Sequence, residues 1–202
     1  MSVQELVLQN RSNSAYLSNQ MLGVIGMLLS PMLVIAWFFA APQFDKPNPN
    51  PFITSLGGFL YLLGAMASAT AMRNLRITGN GTGAKILYAV QMTGLFLAMW
   101  FDVFQYVAPQ MRGTWLFFAT DMAYPFSHVL MIAVAVAVLR AKVWRGWRRI
   151  PAFLVGLALP SFFALSIGFG RENGNFIFPL MVTTGFFMLG LAVFTTKENP
   201  AD

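Results

Sequence analysis

Six separate stretches of this 202-residue chain are each apolar over roughly 20 residues, the length a helix needs to cross a hydrocarbon core of about 30 Å. They run from Met21 to Ala41, Phe52 to Met72, Ile86 to Val107, Thr114 to Leu139, Ile150 to Gly170 and Phe176 to Thr196. Inside a bilayer no water is available to the backbone, so each span must be a helix or part of a closed barrel. The short alternating strands of a barrel do not appear in the pattern. The sequence therefore predicts an all-α integral membrane protein, a six-transmembrane-helix bundle.

Composition supports the same solvent, since 57% hydrophobic and 10% charged residues do not describe a water-soluble globule. A single membrane domain over 21–196 is expected, flanked by a tail or interfacial helix over 1–20 and a short tail over 197–202. The first segment is polar through Gln20 and lacks a small-residue cleavage site, which argues against a signal peptide. With no cysteine, disulfides, thiolate metal sites and thiol catalysis are all excluded.

The net charge of +6 does not point to nucleic acid, because the cations sit at the mouths of apolar spans rather than along a polar face. Lys and Arg set orientation instead. Arg73, Arg76 and Lys85 mark one connection, and Arg140, Lys142, Arg145, Arg148 and Arg149 mark another. Placing both in the cytoplasm, with Arg11 and Lys197, puts ten of the thirteen basic residues inside and leaves Lys46, Arg112 and Arg171 outside. Both termini are then cytoplasmic.

The first basic loop, RNLRITGNGTGAK, resembles a phosphate loop in its glycines, but its spacing is wrong and it follows a membrane span rather than a strand. The second, RAKVWRGWRRIP, interleaves tryptophan with cations, so Trp144, Arg145, Trp147, Arg148 and Arg149 are candidates for contact with anionic lipid headgroups. Membrane lipids are thus the expected partners, with a homo-oligomer or larger membrane complex also compatible and nucleic acid excluded. The AYPFSH and WRGWRR segments resemble short stretches of bacterial membrane proteins, a likeness that implies no activity; the expected location is a bacterial inner (plasma) membrane.

Functional candidates are the few polar residues inside the spans. A charged carboxylate near the bilayer centre costs about 2.5–3.5 kcal/mol on insertion scales, so it must be offset locally. In the third span Gln91, Asp102 and Gln105 fall near one face, with Tyr106 following. In the fourth, Asp121, Tyr124 and His128 share a face by the i, i+3, i+7 rule. The short link APQMRG makes these spans antiparallel neighbours, predicting one polar cluster below the outer surface with Arg112 as a candidate counter-ion.

Pro31, Pro125 and Pro160 each free a carbonyl four residues upstream, and for Pro125 that carbonyl belongs to Asp121. The second span carries Gly57, Gly58, Gly64, Ala65, Ser68 and Ala69, small residues that let another backbone approach.

Enzyme chemistry finds little support. One histidine and two aspartates barely meet the ligand count of a zinc hydrolase, a single histidine cannot hold bis-histidine haem, and Ser127 adjoins His128 on a different helix face. No metal or cofactor is expected. An acid–base enzyme acting on lipid is a minor alternative. The leading expectation is binding or passage of a small ligand or cation through an outward-facing polar pocket, coupled to protonation of intramembrane carboxylates. Its rival is a non-catalytic accessory subunit whose polar cluster only packs helices.

Overall fold

The computed structural model describes residues 18–40, 51–169 and 171–196, with the backbone alone for 40 and for 171–176. The expected interfacial helix in the N-terminal tail, the C-terminal tail, and Arg11, Lys46 and Lys197 lie outside the described residues. Seven helices are present among those described. They are α1 (Asn19–Leu29), α2 (Met32–Ala40), α3 (Pro51–Asn74), α4 (Thr82–Val107), α5 (Trp115–Ala141), α6 (Ile150–Phe169) and α7 (Arg171–Phe194). Short 3-10 turns at Pro109–Met111 and Gly146–Arg149 complete the connections.

Together they make six apolar segments long enough to span a membrane, α1 and α2 forming the first. That first span breaks at Ser30 and Pro31. Proline removes the bond that Met27 would otherwise receive, while the Ser30 hydroxyl turns back to the Gly26 carbonyl. Helices α5 and α6 instead continue through Pro125 and Pro160, and α7 carries a further internal proline, Pro179.

Each span packs on its neighbours in sequence, and α7 closes the ring against α1. The closing seam is a close backbone-to-backbone approach. A Cβ at Gly190 would stand 2.7 Å from both the Gly23 carbonyl oxygen and the Met27 amide nitrogen, so only glycine permits this approach. The small-residue face of α3 meets the first span of the same chain, Gly64 against Leu29 and Ser68 against Gly26. Inside the ring lie Tyr61, Leu62, Leu95, Val155, Phe186 and Leu189, each at most 1% exposed. Large apolar side chains such as Phe38, Phe118, Phe163 and Ile167 cover the outside, as lipid contact requires.

One end of the bundle collects the basic connections. Asn74 donates to Asn19 across it at 3.0 Å, so the start of α1 and the end of α3 share that end. Trp144 is 2% exposed and its indole donates to Thr196 Oγ1 at 2.9 Å. Arg148 donates to the Thr195 carbonyl at 2.9 Å and Arg149 to the Trp144 carbonyl at 2.6 Å. The first of these places a cation at the C-terminal end of α7, where free carbonyls and the helix dipole favour it. Of the five residues expected to face headgroups, Trp144 is committed to the interior, while Arg145 and Trp147 remain exposed.

Candidate functional site

The centre of the ring holds a bonded aromatic layer around His128. His128 Nδ1 lies 2.6 Å from the Tyr124 carbonyl, and a carbonyl can only accept, so Nδ1 carries the proton. In a neutral ring Nε2 is then an acceptor. It takes the Tyr61 hydroxyl proton at 2.7 Å. Tyr124 and Tyr61 stack on the imidazole with ring centres 4.7 and 6.0 Å away, and Phe178 and Phe186 approach at 5.5 and 6.2 Å. His128 is 1% exposed. Both ring nitrogens are satisfied and four aromatic rings exclude solvent, so the imidazole joins α3 to α5 rather than awaiting a ligand.

Tyr61 was not among the residues singled out in the sequence. The signal was present: Gly58, Tyr61, Ala65 and Ser68 follow i, i+3, i+7, i+10 along α3, so the tyrosine lies on the small-residue stripe that must face another helix. Removing its hydroxyl leaves Nε2 buried without a donor. Tyr61→Phe is expected to destabilise the bundle by about 1–3 kcal/mol, read as a lower melting temperature in detergent.

Asp102 occupies a different environment. It is 6% exposed and sits five residues before the end of α4, about 7 Å along the helix. Its carboxylate is pressed on Gly58, where an added Cβ would stand 2.5 Å from Oδ1. Oδ2 is buried with no hydrogen-bond partner among the described residues. The expected pairing of Asp102 with Asp121 is not made by any bond among those residues. Glycine on α3 opens the space that the carboxylate fills, so Asp102 packs on α3.

The other candidates are spread along the bundle. Gln91, 2% exposed, donates to the Ser127 carbonyl at 3.2 Å and so bonds α4 to α5. Asp121 and Gln105 are partly buried, and no described bond joins either of them to His128. Tyr106 is exposed and packs on Phe52 with ring centres 5.2 Å apart. Arg112 is exposed on the link, away from its expected role as a counter-ion to the buried carboxylate. Tyr106, Phe52, Ser55 and Phe59 border a groove of about 140 Å³ between α3 and α4, with Asp102 in its lining.

No group of three or more His, Cys, Asp or Glu able to hold a metal ion occurs among the described residues. No family model, curated protein or solved structure matches the chain. The site divides in two: a saturated aromatic layer at mid-depth, and a buried acid with an unpartnered oxygen beside a groove toward the end opposite the basic loops.

Proposed function

We propose that this multi-pass membrane protein binds and passes protons or a small monovalent cation, with Asp102 as the binding group. The carrying observation is the buried, unpartnered Oδ2 of Asp102 beside a groove. An ionised carboxylate in that position is costly unless a proton or a cation joins it, and intramembrane acids of this type mark ion and proton pathways. The apolar walls of the groove lower the local dielectric and strengthen attraction for a cation. Asp121 adds a second, more accessible carboxylate. The excess of cations on the opposite connections supports a cytoplasmic basic end and an outward-facing groove.

The competing role, helix packing without transport, is favoured by one observation, the fully bonded imidazole of His128. It accounts for the aromatic layer and leaves Asp102 unexplained, since a packing residue gains nothing from an orphaned oxygen.

Proteoliposomes loaded with a pH-sensitive or a sodium-sensitive dye provide the test, under an imposed proton or sodium gradient respectively. Flux above that of empty vesicles is expected, and its absence under both gradients overturns the reading. Gly58→Ala sharpens it. The new methyl group forces the Asp102 carboxylate out of its position, yet displaces only the end of a side chain. Flux is expected to fall about tenfold, a change of roughly 1.4 kcal/mol in barrier, while folding is retained.

A further inference from the structure

On the basic side of the aromatic layer a second cavity, of about 30 Å³, penetrates the bundle between α3, α4, α5 and α7. Arg73 and Thr78 line it near the basic end, Tyr88 lies deeper, and Gln91 lies deeper still, nine residues into α4 or about 13 Å along the helix. The Gln91 amide nitrogen is already used, donating to the Ser127 carbonyl. Its Oε1 is buried with no partner among the described residues, although the side chain borders a space.

A single water needs about 10–15 Å³ by this measure and two to four polar partners. The cavity therefore has room for about two waters, and Gln91, Tyr88, Thr78 and Arg73 are the polar residues in an otherwise mostly apolar lining. A wholly apolar void stays dry, whereas a buried amide without a partner for its oxygen, on a residue that lines such a space, is a place for water to be held.

We propose that this cavity is an aqueous vestibule anchored by Gln91, giving access from the basic end as far as the His128–Tyr61 layer. The proposal deepens the reading above and relies on it for its use in transport. Asp102 and Gln91 are eleven residues apart on α4, about 16 Å. Water entering from the basic end stops at the bonded layer. Tyr61, Tyr124, His128 and Phe186 form that barrier, and the groove at Asp102 lies on its far side.

The chain has no cysteine, so single cysteines report position without background. Silver ions are small enough to follow water and attack thiolates, which form only where water reaches. Met131→Cys and Val134→Cys place the thiol on the vestibule wall at 2% and 6% exposure, shielded from lipid. Val182→Cys, 0% exposed and outside the lining, is the reference. Silver is applied to one face of oriented proteoliposomes, and thiols left unmodified are counted with a maleimide after unfolding.

Met131→Cys and Val134→Cys are expected to react from the basic face much faster than Val182→Cys, and from the opposite face no faster. Adding Gln91→Leu is expected to slow both by about tenfold. Rates equal to the reference, equal rates from the two faces, or rates indifferent to Gln91→Leu each overturn the proposal. The two vestibule positions guard against one variant failing to fold. Silver reaches a thiol whether or not anything is transported, so failure of the vestibule and failure of the flux reading are separate results.

Discussion

Asp102→Asn is expected to reduce proton or cation flux in proteoliposomes at least about a hundredfold, a rise in barrier of roughly 2.7 kcal/mol, while the protein still inserts and folds. Asparagine has almost the same shape, so the packing on Gly58 survives. What disappears is the group that can take up a proton or face a cation with negative charge. Melting temperature is expected to hold or rise, because a neutral amide is less costly to bury than an ionisable acid in a low-dielectric setting. Asp121→Asn is the matched comparison. Asp121 is only partly buried, and its loss is expected to lower flux by less than the Asp102 change. If Asp102→Asn carries flux like the unaltered chain, the carboxylate has no part in passage and Asp102 is not the binding group.

Gly190→Ala is expected to produce the largest loss of stability. Its methyl group would meet the Gly23 carbonyl oxygen, the Met27 amide nitrogen and, at 3.1 Å, the Gly26 carbonyl carbon. All three are backbone atoms, which cannot swing aside as a side-chain tip can. Relief requires α7 and α1 to move apart along the seam that closes the ring. Overpacking of this type costs about 1–3 kcal/mol and occasionally more, and each kcal/mol lowers the melting temperature by about 2–4 °C in a chain of this size. Gly83→Ala is the control. A Cβ there meets nothing within 4 Å, and Gly83 is the second residue of α4, so its stability is expected to hold or rise slightly. A thermal scan in detergent of the two variants beside the parent reads both, and equal melting temperatures for Gly190→Ala and the parent would show that the seam is not tight.

Much of the site could be read one helix at a time. Gln91 and Asp102 were recognisable because a helix places residues eleven apart on nearly one face, and both are buried in the bundle. Tyr124 and His128 were recognisable as an i, i+4 pair, and the structure has them stacked and bonded. Partner choice was less legible. The link between α4 and α5 made the two helices neighbours, as the structure has them, yet Asp102 looks across to Gly58 on α3. A neighbouring pair of helices presents several faces, and a helical wheel does not say which face turns to which neighbour. The same limit hid Tyr61, whose hydroxyl has meaning only once His128 stands 2.7 Å away.

Trp144 shows the limit from the other side. Tryptophan among arginines fits an interfacial anchor on composition. The loop instead folds back over the end of α7, where Thr196 accepts its indole proton and the Thr195 carbonyl takes up Arg148. Nothing within RAKVWRGWRRIP announces that acceptor, which comes from the far end of the chain.

Hydropathy alone determined the number, type and length of the spans, because a bilayer demands about 20 apolar residues in a backbone that satisfies itself, a condition each segment meets or fails independently. The gathering of cations at one end followed from the same one-dimensional pattern. Tertiary structure decided the order of helices around the ring, the partner of each polar group and the separation of the bonded layer from the two cavities. Lipid tails are as apolar as leucine, so the hydrophobic effect does not choose between helix faces. Close approach at glycine and the satisfaction of a few buried donors and acceptors choose instead, and both depend on atoms brought together from distant parts of the chain.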